Sequence, residues 1–190
     1  PEQDNQPVDV PVQMQKAIDL VLETGRAGVS NITLHQNGDI KPVIAEASQL
    51  TQVFINLVNN AADACQNIEE PEISITITGG EDRLIVKIND NGHGILPDNL
   101  PKLFDPFFTT KPFGDGLGLG LSICYGIIRS FGGTIRAENR PQGGASFIIE
   151  LRYDGPVETD GENGISTSML PAARTSPESS IHFEQHHGQS

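Results

Sequence analysis

Three features of the sequence predict an α/β sandwich, one mixed sheet covered on one face by about three helices. Helical and strand periodicities alternate: helix, two strands, helix, two strands, a long glycine- and proline-rich stretch, helix, two strands. The strand candidates alternate apolar with polar residues, as half-buried strands do. The helix candidates each carry a single apolar stripe, so each covers something on one side only.

Residues 1–9 read as linker. Val10, Met14, Ala17, Ile18, Val21 and Leu22 then recur at helical spacing as far as Glu23, before Thr24 and Gly25 end the run. Short strands are predicted over 31–35 and 41–46, joined as a hairpin at Gln36, Asn37, Gly38 and Asp39. A second helix begins near Ser48 and ends before Glu69, with Leu50, Val53, Phe54, Leu57, Val58, Ala61, Ala62 and Cys65 on one side. Over 72–80, Ile73, Ile75 and Ile77 alternate with Ser74, Thr76 and Thr78, and Leu84, Val86 and Ile88 repeat that pattern in "RLIVKIND". Residues 91–120 hold no sustained period. An apolar helix over about Leu117–Phe131, closed by Gly132 and Gly133, precedes strands at 134–138 and 145–151. After Arg152 the chain turns to Ser, Thr, Gly, Pro and Glu, which predicts a disordered tail over 153–190. There His182, His186 and His187 read as metal ligands or as part of a flexible tail.

A chain of 190 residues suits one domain with trimmings. The net charge of −13 excludes a nucleic-acid surface, which needs a basic stripe. Any anionic ligand must therefore be held by backbone N–H groups, a metal ion and a few placed cations. Cys65 and Cys124 sit in apolar helical contexts, as buried free thiols of a reducing compartment do. No apolar run approaches the roughly 20 residues of a membrane span, and no signal peptide is visible. The chain starts "PEQDNQP" without Met and reads as an excised fragment.

The chemistry is signalled first by the second helix. Opposite its apolar stripe lie Gln52, Asn56, Asn59, Asn60 and Asp63. Asn and Asp are weak helix formers, so a face built from them serves something other than helix stability. Amide oxygens suit a hard cation such as Mg²⁺, which takes its remaining ligands from water and phosphates. Next, "INDNGHGI" puts Asp90 at the end of a strand, followed by Gly92 and Gly94. Then Gly114, Gly116, Gly118 and Gly120 occupy alternate positions and run into a helix, with Leu117, Leu119 and Leu121 interleaved. Glycines let backbone approach an anion, and the helix N-terminus adds partial positive charge. Between these clusters, "LFDPFFTTK" offers Phe104, Phe107 and Phe108 to fasten a mobile cover, with Thr109, Thr110 and Lys111 as polar contacts. A polar helix face, an Asp leaving a strand and a Gly-rich loop entering a helix together describe a Mg-nucleotide pocket.

"NLVNNAADA", "DNGHGI", "LFDPFFTTK" and "GDGLGLGLSI" resemble the N, G1, F and G2 boxes of the catalytic ATP-binding domain of bacterial sensor histidine kinases, in the wider GHKL group of ATPases. The resemblance covers about residues 8–152, and the segment from Tyr125 onward is similar to the nitrogen-regulation and C4-dicarboxylate sensor subgroup. It implies the Bergerat sandwich with a mobile ATP lid, a catalytic domain over 10–152, and ATP and Mg²⁺ as cofactors. Asn60 and Asn56 would hold the metal, and Asp63 would hold a water or the helix. Asp90 would accept from the adenine amino group, with Gly92, Gly94 and Ile95 lining the base. Gly116, Gly118 and Gly120 would wrap the phosphates, with Leu117, Leu119 and Leu121 packing and Phe104 and Thr110 contributing from the lid. Lys111 would contact the γ-phosphate or stand as a solvated lid lysine, and Asn56, Asn60 and Lys111 would form the catalytic set.

None of the five histidines fits the family's phosphoacceptor pattern. The resemblance therefore implies transfer of the ATP γ-phosphate to a His on a dimerisation domain outside this chain, with a response regulator as indirect partner. It also implies a monomeric fragment and a cytoplasmic location, the parent protein being open to anchoring in the bacterial inner membrane. The alternatives are another GHKL-type ATPase, or a nucleotide-binding module that has lost catalysis.

Overall fold

A computed structural model describes residues 5–24, 31–110 and 117–155. Strand β1, Gln6–Val8, precedes helix α1, Val10–Glu23. The Asp9 carboxylate caps α1 by accepting from the Val12 N–H at 3.1 Å, and Pro11 sits in the first turn, where its missing N–H costs nothing. Strands β2, Ile32–Gly38, and β3, Val43–Ala45, lead to α2, Ala47–Ala64. Strands β4, Ile73–Gly79, and β5, Arg83–Asp90, are followed by a 3-10 helix over Pro97–Lys102. Helix α3, Gly120–Ser130, then precedes β6, Thr134–Asn139, and β7, Ala145–Arg152.

Five strands form one mixed sheet in the order β2-β4-β5-β7-β6, with β2 and β4 parallel and the other pairs antiparallel. Helix α2 packs on β4 and β5, α3 packs on β6, and both α1 and α3 pack against α2. Ile73, Ile75 and Ile77 of β4 and Leu84, Val86 and Ile88 of β5 are buried with Leu50, Phe54 and Leu57 of α2. Each such side chain contributes roughly 1.5–3 kcal/mol when taken out of water. The intervening residues, Ser74, Thr76, Thr78, Lys87 and Asn89, are only partly buried, so β4 and β5 are drier on the helix-covered face than on the other.

Four boundaries differ from the sequence expectation. The supposed linker contributes β1, which pairs antiparallel with β3 and buries Val8 against the core; three residues are too few to show a period. The hairpin expected at Gln36 to Asp39 does not form. Instead β2 runs on to Gly38, opposite Gly79 on β4, and β3 turns to β1. Gly38 has φ +73°, and a Cβ there would lie 2.3 Å from the Gly79 carbonyl oxygen, so a turn-like dipeptide ends a parallel ladder. Helix α3 starts at Gly120 rather than Leu117, because Gly118 has φ +68°. Order also extends past Arg152: the Tyr153 O–H donates to the Asp39 carbonyl at 3.2 Å, and Gly155 is buried beside Ile44. The tail beyond Gly155, with His182, His186 and His187, lies outside the described residues, as do Lys111, Gly114 and Gly116.

Candidate functional site

Burial decides the first element. Asp90 ends β5 on the core-facing side and is 1% exposed, a costly place for a carboxylate unless its oxygens are satisfied. Its Oδ1 accepts from the Gly92 N–H at 2.9 Å and the Ala145 N–H at 3.1 Å. Burial pushes the Asp90 carboxyl above its ordinary value; those two donors and the nearby Arg140 and His93 charges pull the other way. Both of these bonds fall on the same carboxylate oxygen.

The loop after Asp90 is pressed between two walls. On one side a Cβ at Gly92 would meet the Ala64 carbonyl oxygen at 2.4 Å, and the His93 N–H donates to that same oxygen at 3.3 Å. Asn91 ties the loop to the chain entering β4: its amide donates to the Glu70 carbonyl at 2.8 Å, and its oxygen accepts from the Glu72 N–H at 2.9 Å. The Cys65 thiol donates to that oxygen at 3.5 Å, and burial, with the Asp90 charge, raises the thiol's pKa. On the other side stands the β6–β7 turn. Arg140 donates to the Asp90 carbonyl at 2.6 Å, and Gly144, at φ +81°, has no room for a side chain beside the same carbonyl.

On α2, Asn56, Asn60 and Asp63 are all half-buried and share a face. The Asn56 amide N–H donates to the Cys124 sulfur of α3 at 3.7 Å. Cys124 is fully buried, donates to the Val53 carbonyl and has its pKa raised to about 11 by burial, so it is an inert thiol. The start of α3 faces the same residue: a Cβ on Gly120 would come 4.0 Å from the Asn56 amide carbon. The Asn59 side-chain oxygen is buried with no protein partner. The Asp63 carboxylate accepts from the Gln66 amide at 3.3 Å, a helix-stabilising contact. Gln52 is exposed and lines a separate groove between α1 and α2.

The cover segment meets the glycine loop. A Cβ on Gly118 would lie 2.5 Å from the Phe107 carbonyl carbon, and Phe107 itself has φ +66°. Phe104 stacks on Tyr125 of α3, ring centroids 5.8 Å apart, and does fasten the segment. Phe107 does not: it is 74% exposed, which corrects the expectation of an anchor there. Thr110 and Leu117 are exposed, while Leu119 and Leu121 are half-buried, with Leu121 packed against the core. Ile95 also packs against the core cluster.

Among the described residues no group of three or more His, Cys, Asp or Glu is placed to hold a metal ion. The oxygens near Asn56 and Asn60 are neutral amides. They fit Mg²⁺ only where a polyanionic ligand brings the charge. Sequence reasoning singled out Asp90, Gly92 and Gly94 but not the Asn139 and Arg140 side chains that reach this loop, because "NRPQGG" reads as nothing more than a turn between strands.

Residues 45–155 match the family described as "Histidine kinase-, DNA gyrase B-, and HSP90-like ATPase". The chain is 35% identical over 155 residues to the sensory histidine kinase/phosphatase NtrB of Rhizobium meliloti, covering 72% of this chain and 40% of that one. It is 36% identical over 143 residues to the sensor protein FixL of Bradyrhizobium diazoefficiens, covering 73% of this chain and 28% of that one. It thus spans well under half of the curated relatives it matches. The nucleotide-free catalytic domain of histidine kinase ThkA superposes with a TM-score of 0.67 at 34% identity, covering 80% of this chain and 97% of that domain. The chain belongs to the histidine kinase-, DNA gyrase B- and HSP90-like ATPase family, as an ATP-binding catalytic domain of the sensor histidine kinase type.

Proposed function

We propose that this chain binds Mg-ATP between α2, the Asp90 loop and the start of α3, and presents the γ-phosphate to a histidine on another domain of a two-component sensor. The observation that carries the reading is Asp90, a carboxylate kept inside the core with its Oδ1 held by two backbone N–H groups, which suits its other oxygen to accept from a base with an exocyclic amino donor. Such a group favours adenine, which donates there, over guanine, which presents an acceptor.

Asn60 and Asn56 would hold the cation through their amide oxygens, and Lys111 and Gly116 are the residues the family resemblance would assign to the phosphates. Gly118 and Gly120 bring backbone and the α3 N-terminus to the same anion. When bound, Mg²⁺ neutralises charge on the transferring phosphoryl group. The chain's own part is to orient the nucleotide, with little covalent chemistry to perform. Leu96, Phe107 and Leu117 are exposed apolar residues around the lid and suit contact with the phosphoacceptor domain. The catalytic domain runs over 10–152, braced by β1. A cytoplasmic placement accords with the described helices, none of which is long and apolar enough to cross a membrane.

Calorimetric titration with a non-hydrolysable ATP analogue, with and without Mg²⁺ and with GTP as control, tests this reading. Saturable, adenine-selective binding is expected. Asp90→Ala should weaken it at least tenfold and Asn60→Ala should remove its Mg²⁺ dependence. Equal affinity for both nucleotides, or no change in either variant, would refute the assignment.

A further inference from the structure

The β6–β7 turn does more than reverse the chain. The Asn139 side chain lies beside the Asp90 loop and pairs with one residue of it twice. The Asn139 oxygen accepts from the Ile95 N–H at 2.7 Å, and its amide donates to the Ile95 carbonyl at 2.7 Å. A primary amide that satisfies both groups of one residue does what a neighbouring strand would do. Yet Asn139 is itself exposed, so water competes for both bonds and packing gives no separate reason for the geometry. Gly94 fits the same contact: at φ +72°, it would carry its Cβ 3.0 Å from the Asn139 oxygen. Even alanine at Gly94 would crowd the pairing. The same turn sends Arg140 to the Asp90 carbonyl and the Ala145 N–H to the Asp90 carboxylate.

We infer that Asn139 is a positioning residue for base recognition: it holds the Gly92-to-Ile95 loop in its binding shape before nucleotide arrives, so that little ordering remains to oppose binding. This rests on the reading that the Asp90 loop takes the adenine. It predicts an effect confined to the base end of the ligand. Both Asn139 bonds go to Ile95, at the base end, so its loss should leave the contribution of the α2 amides and the phosphate end intact.

The experiment uses the whole chain and two probes: Mg-ADP, which has a base, and Mg-tripolyphosphate, which has none. Asn139→Ala, Asn139→Asp and Asp90→Ala are compared with wild type by calorimetry, by melting temperature and by hydrogen exchange at the Ile95 amide. Asn139→Ala should weaken Mg-ADP about tenfold, leave Mg-tripolyphosphate within twofold, and speed Ile95 exchange. Asn139→Asp keeps the acceptor for the Ile95 N–H, so its exchange should stay slow and its affinity loss should be smaller. Unchanged ADP affinity and Ile95 exchange in Asn139→Ala would overturn the proposal. Equal weakening of both probes would overturn it too, since that marks general loosening of the fold. Asp90→Ala separates the two ideas: if it leaves ADP affinity unchanged, the base-site reading itself is wrong, whatever Asn139 does.

Discussion

Asp90 is where folding and binding make opposite demands on one side chain. Burial raises its pKa, so the folded state holds the Asp90 proton more tightly than the unfolded chain does. The stability linked to that proton is full below the ordinary Asp value of about 3.9 and is lost as pH rises through the raised folded value. At neutral pH the ionised group therefore costs the fold something. Asp90→Asn keeps an oxygen for the Gly92 and Ala145 donors without a charge to desolvate. The variant should melt higher than wild type at pH 7, and the gap should close as the pH is lowered through that window. Adenine affinity should fall over the whole range, because the amide offers a donor where the base needs an acceptor. Melting curves from pH 7 to about 4 check the sign; a gap that widens on acidification would show that Asp90 is not desolvated. This residue was legible in the sequence because it stands at the end of a strand and is followed at once by a Gly-bearing loop. Asn139 was not, since its importance lies in a partner 44 residues away.

The helices show the same division. Helix α2, 18 residues long, was readable at its start, because its apolar stripe is regular and its amide face departs from ordinary helix composition, whereas its end at Ala64 falls short of the expected one before Glu69. The start of α3 was not readable: Leu117 and Leu119 extend the apolar pattern, but the φ of Gly118 breaks the helix there. Within α3, Gly126 is exposed and nothing lies within 4 Å of the Cβ it lacks. Gly126→Ala should therefore stabilise the domain by about 0.5–1 kcal/mol, by lowering the entropy lost when the helix forms. Gly92→Ala should do the reverse, costing about 2–4 kcal/mol as Ala64 and the loop are forced apart. Urea midpoints of the two variants measure both shifts. If the two move together, the glycines are not distinguished by the space around them.

For the whole molecule, the alternation of periods was enough to give a mixed sheet with helices on one side, but the pairing of strands was not. Parallel β2–β4 pairing joins segments across a helix, and β1–β3 pairing joins three-residue strands; no local signal reports either. Removing residues 1–8 should cost about 1–3 kcal/mol through loss of buried Val8 and the β1–β3 ladder, measured as a lower denaturation midpoint. An unchanged midpoint would restore the linker reading. The β6–β7 turn also bears on how the protein is made. Asp90 and Ile95 are synthesised well before Asn139, Arg140 and Ala145, the residues that hold them. A growing chain on the ribosome thus carries every residue of the Asp90 loop before it can hold that loop in shape. Competence to bind nucleotide should arrive abruptly, when the β6–β7 hairpin closes against β5, and a nascent chain stalled short of residue 145 should bind no adenine.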